Sequence, residues 1–378
     1  MLTARPGLPV RTPTFPSRAR ARPLAPAVAL LLALTLAACS ASPAPASTAT
    51  AGSAAPPASA AVASASGASG PASPAVPSSA PASPAAPSFP LALTDDEGTS
   101  VTIPSLPARI VSLAPSVTET LFALGEGAKV VGVTSSDDYP PAAKTLPQVA
   151  TYTGVEMEKV VAARPDLVIA WKGITSTTDI AKIRSLGIPV VVLYASTVPA
   201  VLRDIALVGE ATGAAATGTA ATGTALEATL SSEMTAITAA ATATGSDPRT
   251  FYELDATKTI YTPAPDDFTT DMIRRAGGDP ITSGIAGVYS ISLERLVAAD
   301  PQVIVLGDAN YGTTPAIVAA RPGWEGMTAV KTHAVRPIDD TVVTRPGPRI
   351  IQGLEALAEA IHPGLTLPSF APVPMGAP

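Results

Sequence analysis

Apolar positions along the chain fall into three regimes. Residues 27–38 (AVALLLALTLAA) are an unbroken apolar run, and residues 40–88 are Ala, Ser, Pro, Gly and Thr interrupted only by Val62 and Val76. From Phe89 onward, short β-branched runs alternate with segments of helical period. Buried strands separated by short helices predict parallel sheets in an α/β fold. Residues 89–102 read as a hairpin around Asp95-Asp96-Glu97-Gly98, where glycine can take a positive φ. Strands are predicted at 109–113, 129–133, 167–170 and 189–193. Ser116-Val117-Thr118-Glu119 has the spacing of a capping box, Gly125 closes that helix, and another helix at 178–186 stops at Gly187.

Residues 199–244 carry no strand signal. One helix is predicted at 198–210, and Leu226, Leu230, Met234 and Ile237 then recur at helical spacing. A helix over 218–244 would be about 40 Å long. Alternation then resumes, with strands at 250–254, 303–306 and 334–338. A helix at 268–276 is capped by Asp267 and ended by Gly277-Gly278. The last helix follows Gly347 with Pro348 in first position, and Ile350, Ile351, Leu354, Leu357 and Ile361 form its apolar face. This pattern divides the chain into a signal segment (1–38), a tether (39–88), an α/β lobe (89–198), a helical connector (199–247), a second α/β lobe (248–363) and a disordered tail (364–378).

Charge gives the first segment its meaning. Arg5, Arg11, Arg18, Arg20 and Arg22 precede the apolar run in a stretch without acids. The run is shorter than the ~20 residues that span a bilayer, and it fits a secretory signal. It ends Leu36-Ala37-Ala38-Cys39, and Cys39 is the one cysteine of the 378 residues. Small residues before that cysteine resemble the lipobox of bacterial lipoproteins, which implies that Cys39 is the acylated first residue after cleavage. Two acyl chains anchor a protein where one would be marginal. The uncharged tether cannot bury enough apolar surface to offset its ordering entropy. As a flexible coil its ends average about 40 Å apart, which keeps a globular domain close to the outer face of the cell membrane.

Charge and composition also exclude functions. The whole chain has 24 basic and 30 acidic residues. Without the five leading arginines, 19 basic residues face 30 acidic ones, a net −11. So acidic a chain is a poor partner for nucleic-acid phosphate. A single cysteine forbids an internal disulfide and any multi-cysteine metal site. Two histidines, His333 and His362, do not make a transition-metal site. No Gly-x-Ser-x-Gly elbow, phosphate loop or paired-histidine motif is present, so the chain is not expected to be an enzyme. Glu253 and Asp255 are the carboxylates a cleft enzyme would use.

MEKVVAARPDLVI from Met157 is echoed by LERLVAADPQVIV from Leu293, each a short helix leading through proline into a buried strand. Glu158 and Glu294 hold the same place in the two copies. From the residues alone, either glutamate simply complements a helix N-terminus.

Five segments carry a family likeness: Arg109-Ile110-Val111-Ser112-Leu113-Ala114-Pro115 with Glu119 after it; Asp138-Tyr139-Pro140-Pro141; Pro165-Asp166-Leu167-Val168-Ile169-Ala170-Trp171; Ala276-Gly277-Gly278; and Arg345-Pro346-Gly347-Pro348-Arg349-Ile350. In order and spacing the chain resembles the iron-siderophore/cobalamin class of ABC-importer substrate-binding proteins (class III periplasmic binding proteins). The likeness implies two α/β lobes with parallel sheets, one long connecting helix, and a ligand cleft between the lobes. It also implies a monomer that delivers its ligand to a permease driven by an ATPase, with Glu158 and Glu294 docking on that permease.

A cleft at strand ends makes loop aromatics the candidates for gripping a flat ligand. These are Tyr139, Tyr152 and Trp171 in the first lobe and Tyr261, Phe268 and Tyr289 in the second. Tyr152 and Trp171 match positions where cobalamin binders of the family carry an aromatic. Asp339, Asp340 and Arg345 could bond a ligand's polar edges, while Trp324 is assigned to packing. Lys172 and Arg345 are the only basic residues near the proposed cleft, which favours a near-neutral metal chelate over an anionic catecholate. No resident cofactor or metal is expected; the expected ligand is itself a corrinoid or iron chelate. Cobalamin leads, a ferric hydroxamate siderophore and haem follow, and a ligand sensor is the reading from another class. Ser135 and Ser136 stand where some cobalamin binders have a stacking tyrosine.

Overall fold

In the computed structural model, which describes residues 88–214 and 223–376, the β-branched runs form two separate sheets. The signal segment, Cys39 and the tether lie outside the described residues. The hairpin pairs β1 (Leu91–Thr94) with β2 (Ser100–Ile103), and Gly98 has φ 76° at its turn. Asp95 closes that turn, accepting from the backbone N–H of Glu97 at 3.1 Å and of Thr99 at 2.8 Å.

The first sheet comprises β3 (Ile110–Ser112), β4 (Val130–Thr134), β5 (Gln148–Thr151), β6 (Gly154–Val155), β7 (Leu167–Trp171) and β8 (Val190–Leu193), in the order β6-β5-β4-β3-β7-β8. Only the β5–β6 pair is antiparallel. Helices α1 (Pro115–Ala123), α2 (Met157–Ala163) and α3 (Thr177–Ser185) accompany it. Every residue of β3, β7 and β8 is buried, as strands covered on both faces must be.

Two helices follow, α4 (Val198–Thr212) and α5 (Gly223–Thr242). The sequence predicts helices at 198–210 and 218–244, and α4 and the long connecting α5 are these two; they pack as a helical hairpin, with α4 ending at the left-handed Gly213. The predicted residues 218–222 lie outside the described residues. The hairpin closes backbone to backbone: a Cβ at Gly209 would stand 2.7 Å from Gly223 Cα. The glycines that weaken helix propensity here are what let the two helices approach.

The second sheet uses β9 (Arg249–Glu253), β11 (Asp279–Ile281), β13 (Val303–Leu306) and β14 (Val335–Pro337), ordered β11-β9-β13-β14 and parallel throughout. A short antiparallel pair, β10 (Ile260–Tyr261) and β12 (Ser290–Ile291), stands apart from it. Helices α6 (Phe268–Arg275), α7 (Leu293–Ala299), α8 (Pro315–Ala319), α9 (Thr328–Lys331), α10 (Asp340–Val343) and α11 (Ile350–Ile361) complete this half. Asp267 caps α6 as expected, accepting from Thr269 N–H at 2.8 Å. α11 begins two residues later than predicted, because Gly347-Pro348-Arg349 forms a turn ahead of it.

The echoed segments fold alike in detail. Arg109, just before β3, donates to the Ala163 and Arg164 carbonyls at the end of α2. Arg249, opening β9, donates to the Ala299 and Asp300 carbonyls at the end of α7. Both helices end on a non-glycine residue in the left-handed region, Arg164 at φ 46° and Asp300 at φ 45°. Such a residue is uncommon; the arginine gathering the freed carbonyls helps to offset the strain.

The tail is a correction. Residues 364–376, expected to be disordered, are irregular but packed: Leu365, Leu367, Phe370, Val373 and Met375 lie against the main core. Gly376 N–H donates to the Phe122 carbonyl of α1 at 2.9 Å. The segment thus runs from α11, past Glu233 of α5, to α1.

Candidate functional site

In parallel sheets the loops that follow the strands gather at one edge, and here those loops carry the polar groups that join the two halves. Glu119 lies in the middle of α1 and is fully buried. It accepts a two-pronged bond from Arg349, 2.8 Å from Nε and 2.6 Å from Nη2. Arg345 donates to the same carboxylate at 3.3 Å and to Asp138, in the loop after β4, at 2.5 Å. The Arg349 guanidinium also lies 4.1 Å from the centre of the Tyr139 ring. Gly347 fits between these arginines because a Cβ there would stand only 3.2 Å from the Ser116 carbonyl. Glu119 therefore has no part in a capping box; Ala114 is the cap position of α1 and Pro115 opens the helix.

Electrostatics follow from that network. Burial raises Asp138, but the Arg345 bond outweighs it and holds the carboxyl below its usual range. Burial opposes the Arg345 charge, yet Asp138 and Glu119 stabilise it more, so its pKa rises. Both arginines at this edge are committed to carboxylates of the first half. Arg345, expected to bond a ligand's polar edge, is thus already paired with Glu119 and Asp138.

The candidate aromatics divide. Tyr139 is half-buried under Arg349. Tyr261 and Tyr289 are 40% and 42% exposed. The Tyr289 hydroxyl donates to Asp267 at 2.9 Å. Burial, Asp267 and the nearby Tyr194 and Asp266 raise the Tyr289 phenol. Tyr152 is 96% exposed in the β5–β6 turn and makes no ring contact among the described residues. Two candidates do not lie in loops. Trp171 is the last residue of β7, not a loop residue; it is buried and packs in the main core. Phe268 is the first residue of α6 and is likewise buried in that core. Trp324 is buried against Phe251, as assigned, with ring centres 6.2 Å apart.

Sequence reasoning missed Tyr194, which follows β8 directly and is 40% exposed. Lys172 follows β7 on the neighbouring strand, and its Nζ lies 5.1 Å from the Tyr194 ring centre. The signal was present: each residue is the first polar-ended one after a buried run. Asn310, after β13, was also missed; its amide donates to Asp339 at 2.9 Å and Asp340 at 3.1 Å. Burial raises the Asp340 carboxyl, with Asp339 adding to the rise.

The carboxylates named for an enzyme do not face each other as a working pair. Glu253 is buried in a two-pronged bond with Arg321 at 2.6 and 2.7 Å. Burial pushes it up to about 7 despite that partner. Asp255 turns instead to Thr257. His362 bonds the Gly277 carbonyl at 3.0 Å, and His333 is exposed. Among the described residues no cluster of His, Cys, Asp and Glu has the geometry to hold a metal ion. No described helix is long and apolar enough to cross a membrane.

Glu158 and Glu294 are each the second residue of a seven-residue helix, and both are exposed. Backbone and Ser292 hydrogen bonds at the helix start lower the Glu294 carboxyl. The structure leaves both side chains open to solvent at matching places in the two halves.

Two parallel α/β halves, a helical pair between their sheets and a polar seam at strand ends define a bilobal ligand-binding protein. Residues 110–342 match the Periplasmic binding protein family. The chain is 35% identical over 280 residues to the uncharacterized ABC transporter substrate-binding lipoprotein YvrC of Bacillus subtilis, covering 73% of this chain and 86% of the relative. It is 32% identical over 285 residues to a cobalamin-binding protein of Halobacterium salinarum, covering 73% and 75%. The periplasmic heme-binding protein RhuT from Roseiflexus sp. RS-1 superposes with a TM-score of 0.60 at 29% identity, covering 67% of this chain and 97% of that one. The chain belongs to the periplasmic binding protein family, as an ABC-transporter substrate-binding protein of the vitamin B12, haem and siderophore type. That family serves transport and is extracytoplasmic; it is not a family of enzymes.

Proposed function

We propose that the chain captures cobalamin at the seam between its two halves and presents it to an ABC permease. The observation that carries this reading is the charge at the strand ends. Arg345 and Arg349 are spent on Glu119 and Asp138, while Asp266, Asp339 and Asp340 bring further negative charge from the second half. An anionic catecholate, or the two propionates of haem, would meet carboxylates there with no free guanidinium. A corrin edge carries primary amides, whose N–H groups suit carboxylate acceptors. The partly exposed Tyr139, Tyr194, Tyr261 and Tyr289 offer aromatic surface to such a ligand. Cobalamin-binding relatives support the same choice.

Glu158 and Glu294 are read as the docking points for the permease. Two exposed, widely separated carboxylates set register and on-rate. Acylation at Cys39 would hold this monomer at the outer face of the membrane.

The test is calorimetric titration of the purified full-length chain in detergent with cyanocobalamin, a ferric hydroxamate and haemin. Tight one-to-one binding of cyanocobalamin alone is expected. Binding of haemin or the hydroxamate without cyanocobalamin would overturn the assignment.

A further inference from the structure

One corner of the strand edge differs from the rest. Elsewhere carboxylates dominate or arginines are already paired. At the ends of β7 and β8, Lys172 forms no ion pair with any described residue and rests on the ring of Tyr194. Its position is fixed by the sheet: Trp171 lies opposite Leu193 in the β7–β8 register, and Lys172 N–H donates to the Leu193 carbonyl at 2.9 Å. Tyr194 is fixed too, since its N–H donates to Asp96 at 2.8 Å. Lys172 is exposed and Tyr194 is half-open, so the ammonium is presented rather than buried. Tyr194 also helps to raise the phenol of Tyr289 in the second half.

A lysine ammonium is a compact point charge that suits a phosphate oxygen. Its hold on a partly exposed ring is weak enough to be given up for an anion. We propose that Lys172 is the residue that receives the ligand's anionic group, the phosphodiester of a complete corrinoid's nucleotide loop, with Tyr194 beneath it. This rests on the cobalamin reading above and adds an orientation: the nucleotide loop lies toward β7 and β8, and the amide-rich corrin edge lies toward Asp339 and Asp340. It also assigns selectivity, since a corrinoid lacking the loop has nothing for Lys172 to bind.

The experiment measures affinities of the full-length chain and its Lys172→Met and Lys172→Arg variants for cyanocobalamin and for dicyanocobinamide, which lacks the nucleotide loop. Lys172 is exposed, so folding is checked simply by an unchanged melting temperature. Lys172→Met is expected to weaken cyanocobalamin about tenfold and to leave dicyanocobinamide unchanged. Lys172→Arg should restore most of the loss, and added salt should narrow the gap between wild type and Lys172→Met. Equal affinities of wild type and Lys172→Met for cyanocobalamin would overturn the role of Lys172 while leaving the cobalamin reading intact. Equal losses on both corrinoids would also overturn it, because Lys172 would then serve the corrin itself. A wild-type chain that binds neither corrinoid would bring down both proposals.

Discussion

Asp204 is an acid in an unfavourable place, and its replacement by asparagine should stabilise the protein. It lies on α4 beside Trp171, Leu193 and Pro346, is 2% exposed, and neither carboxyl oxygen has a hydrogen-bond partner. Burial, reinforced by the Asp96 carboxylate and only partly offset by Arg203, pushes its pKa from 3.8 to about 9. Arg203 approaches only to 3.7 Å. The folded chain therefore holds a proton at pH 7 that the unfolded chain releases. Stability from this group is full below pH 4 and is lost as pH rises toward 9. The linkage amounts to about 1.4 kcal/mol per pH unit, or about 4 kcal/mol at pH 7. The buried asparagine amide would lack some of its own partners, which offsets part of this and leaves about 2 kcal/mol. Asparagine keeps the shape, never ionises, and can donate to Asp96. Asp204→Asn should therefore raise the melting temperature at pH 7 by about 4–8 °C, with the two proteins converging near pH 4.5. Thermal unfolding from pH 4.5 to 9 tests this. Parallel pH profiles, or a less stable variant at pH 7, would show that Asp204 is ionised in the native state and would refute the reasoning.

Three further outcomes are expected. Trp171→Ala should cost about 3–5 kcal/mol in denaturant unfolding, since it empties part of the core; a loss of ligand affinity at unchanged stability would return Trp171 to the cleft. Glu158→Ala combined with Glu294→Ala should cut cellular uptake at least about tenfold while leaving the dissociation constant alone; wild-type uptake by the double variant would remove the docking role. Ending the chain at Pro363 should lower stability by about 2 kcal/mol, the balance of lost apolar burial and regained chain entropy. An unchanged denaturation midpoint would show that the tail packs without contributing.

What the sequence revealed depended on how local each signal was. Strands β3, β7, β8 and β13 were legible because burial on both faces leaves unbroken β-branched runs. β5, β6, β10 and β12 were not, because they are short and only partly buried. Trp171 was misplaced by one residue: the apolar run ends at Ala170, but the register with Leu193 carries β7 one position further. The same boundary hid Tyr194, which reads as the fading end of a strand. The tail was missed because Leu365, Leu367, Phe370, Val373 and Met375 follow no regular period among prolines. Their order comes from a surface supplied by distant helices.

The site follows the same rule, and this explains why a family likeness could locate residues whose roles it did not supply. Glu119, Asp138-Tyr139 and Arg345-to-Arg349 stood out as three separate segments. In the fold they are one object, since Arg345 and Arg349 reach Glu119 across 226 and 230 residues of chain. No local pattern encodes such a pairing; a glutamate three residues after a serine looks like a cap. Once folded, the pairing decides the chemistry. Leaving Glu119 buried without Arg349 would cost about 3–5 kcal/mol, so these guanidiniums are not available to a ligand's anions. The seam that holds the halves together therefore also sets what they can hold. It pairs two of the strongest anion binders at the strand edge and leaves Lys172, Tyr194, Tyr261 and Tyr289 exposed there, the groups on which the proposed cobalamin site rests.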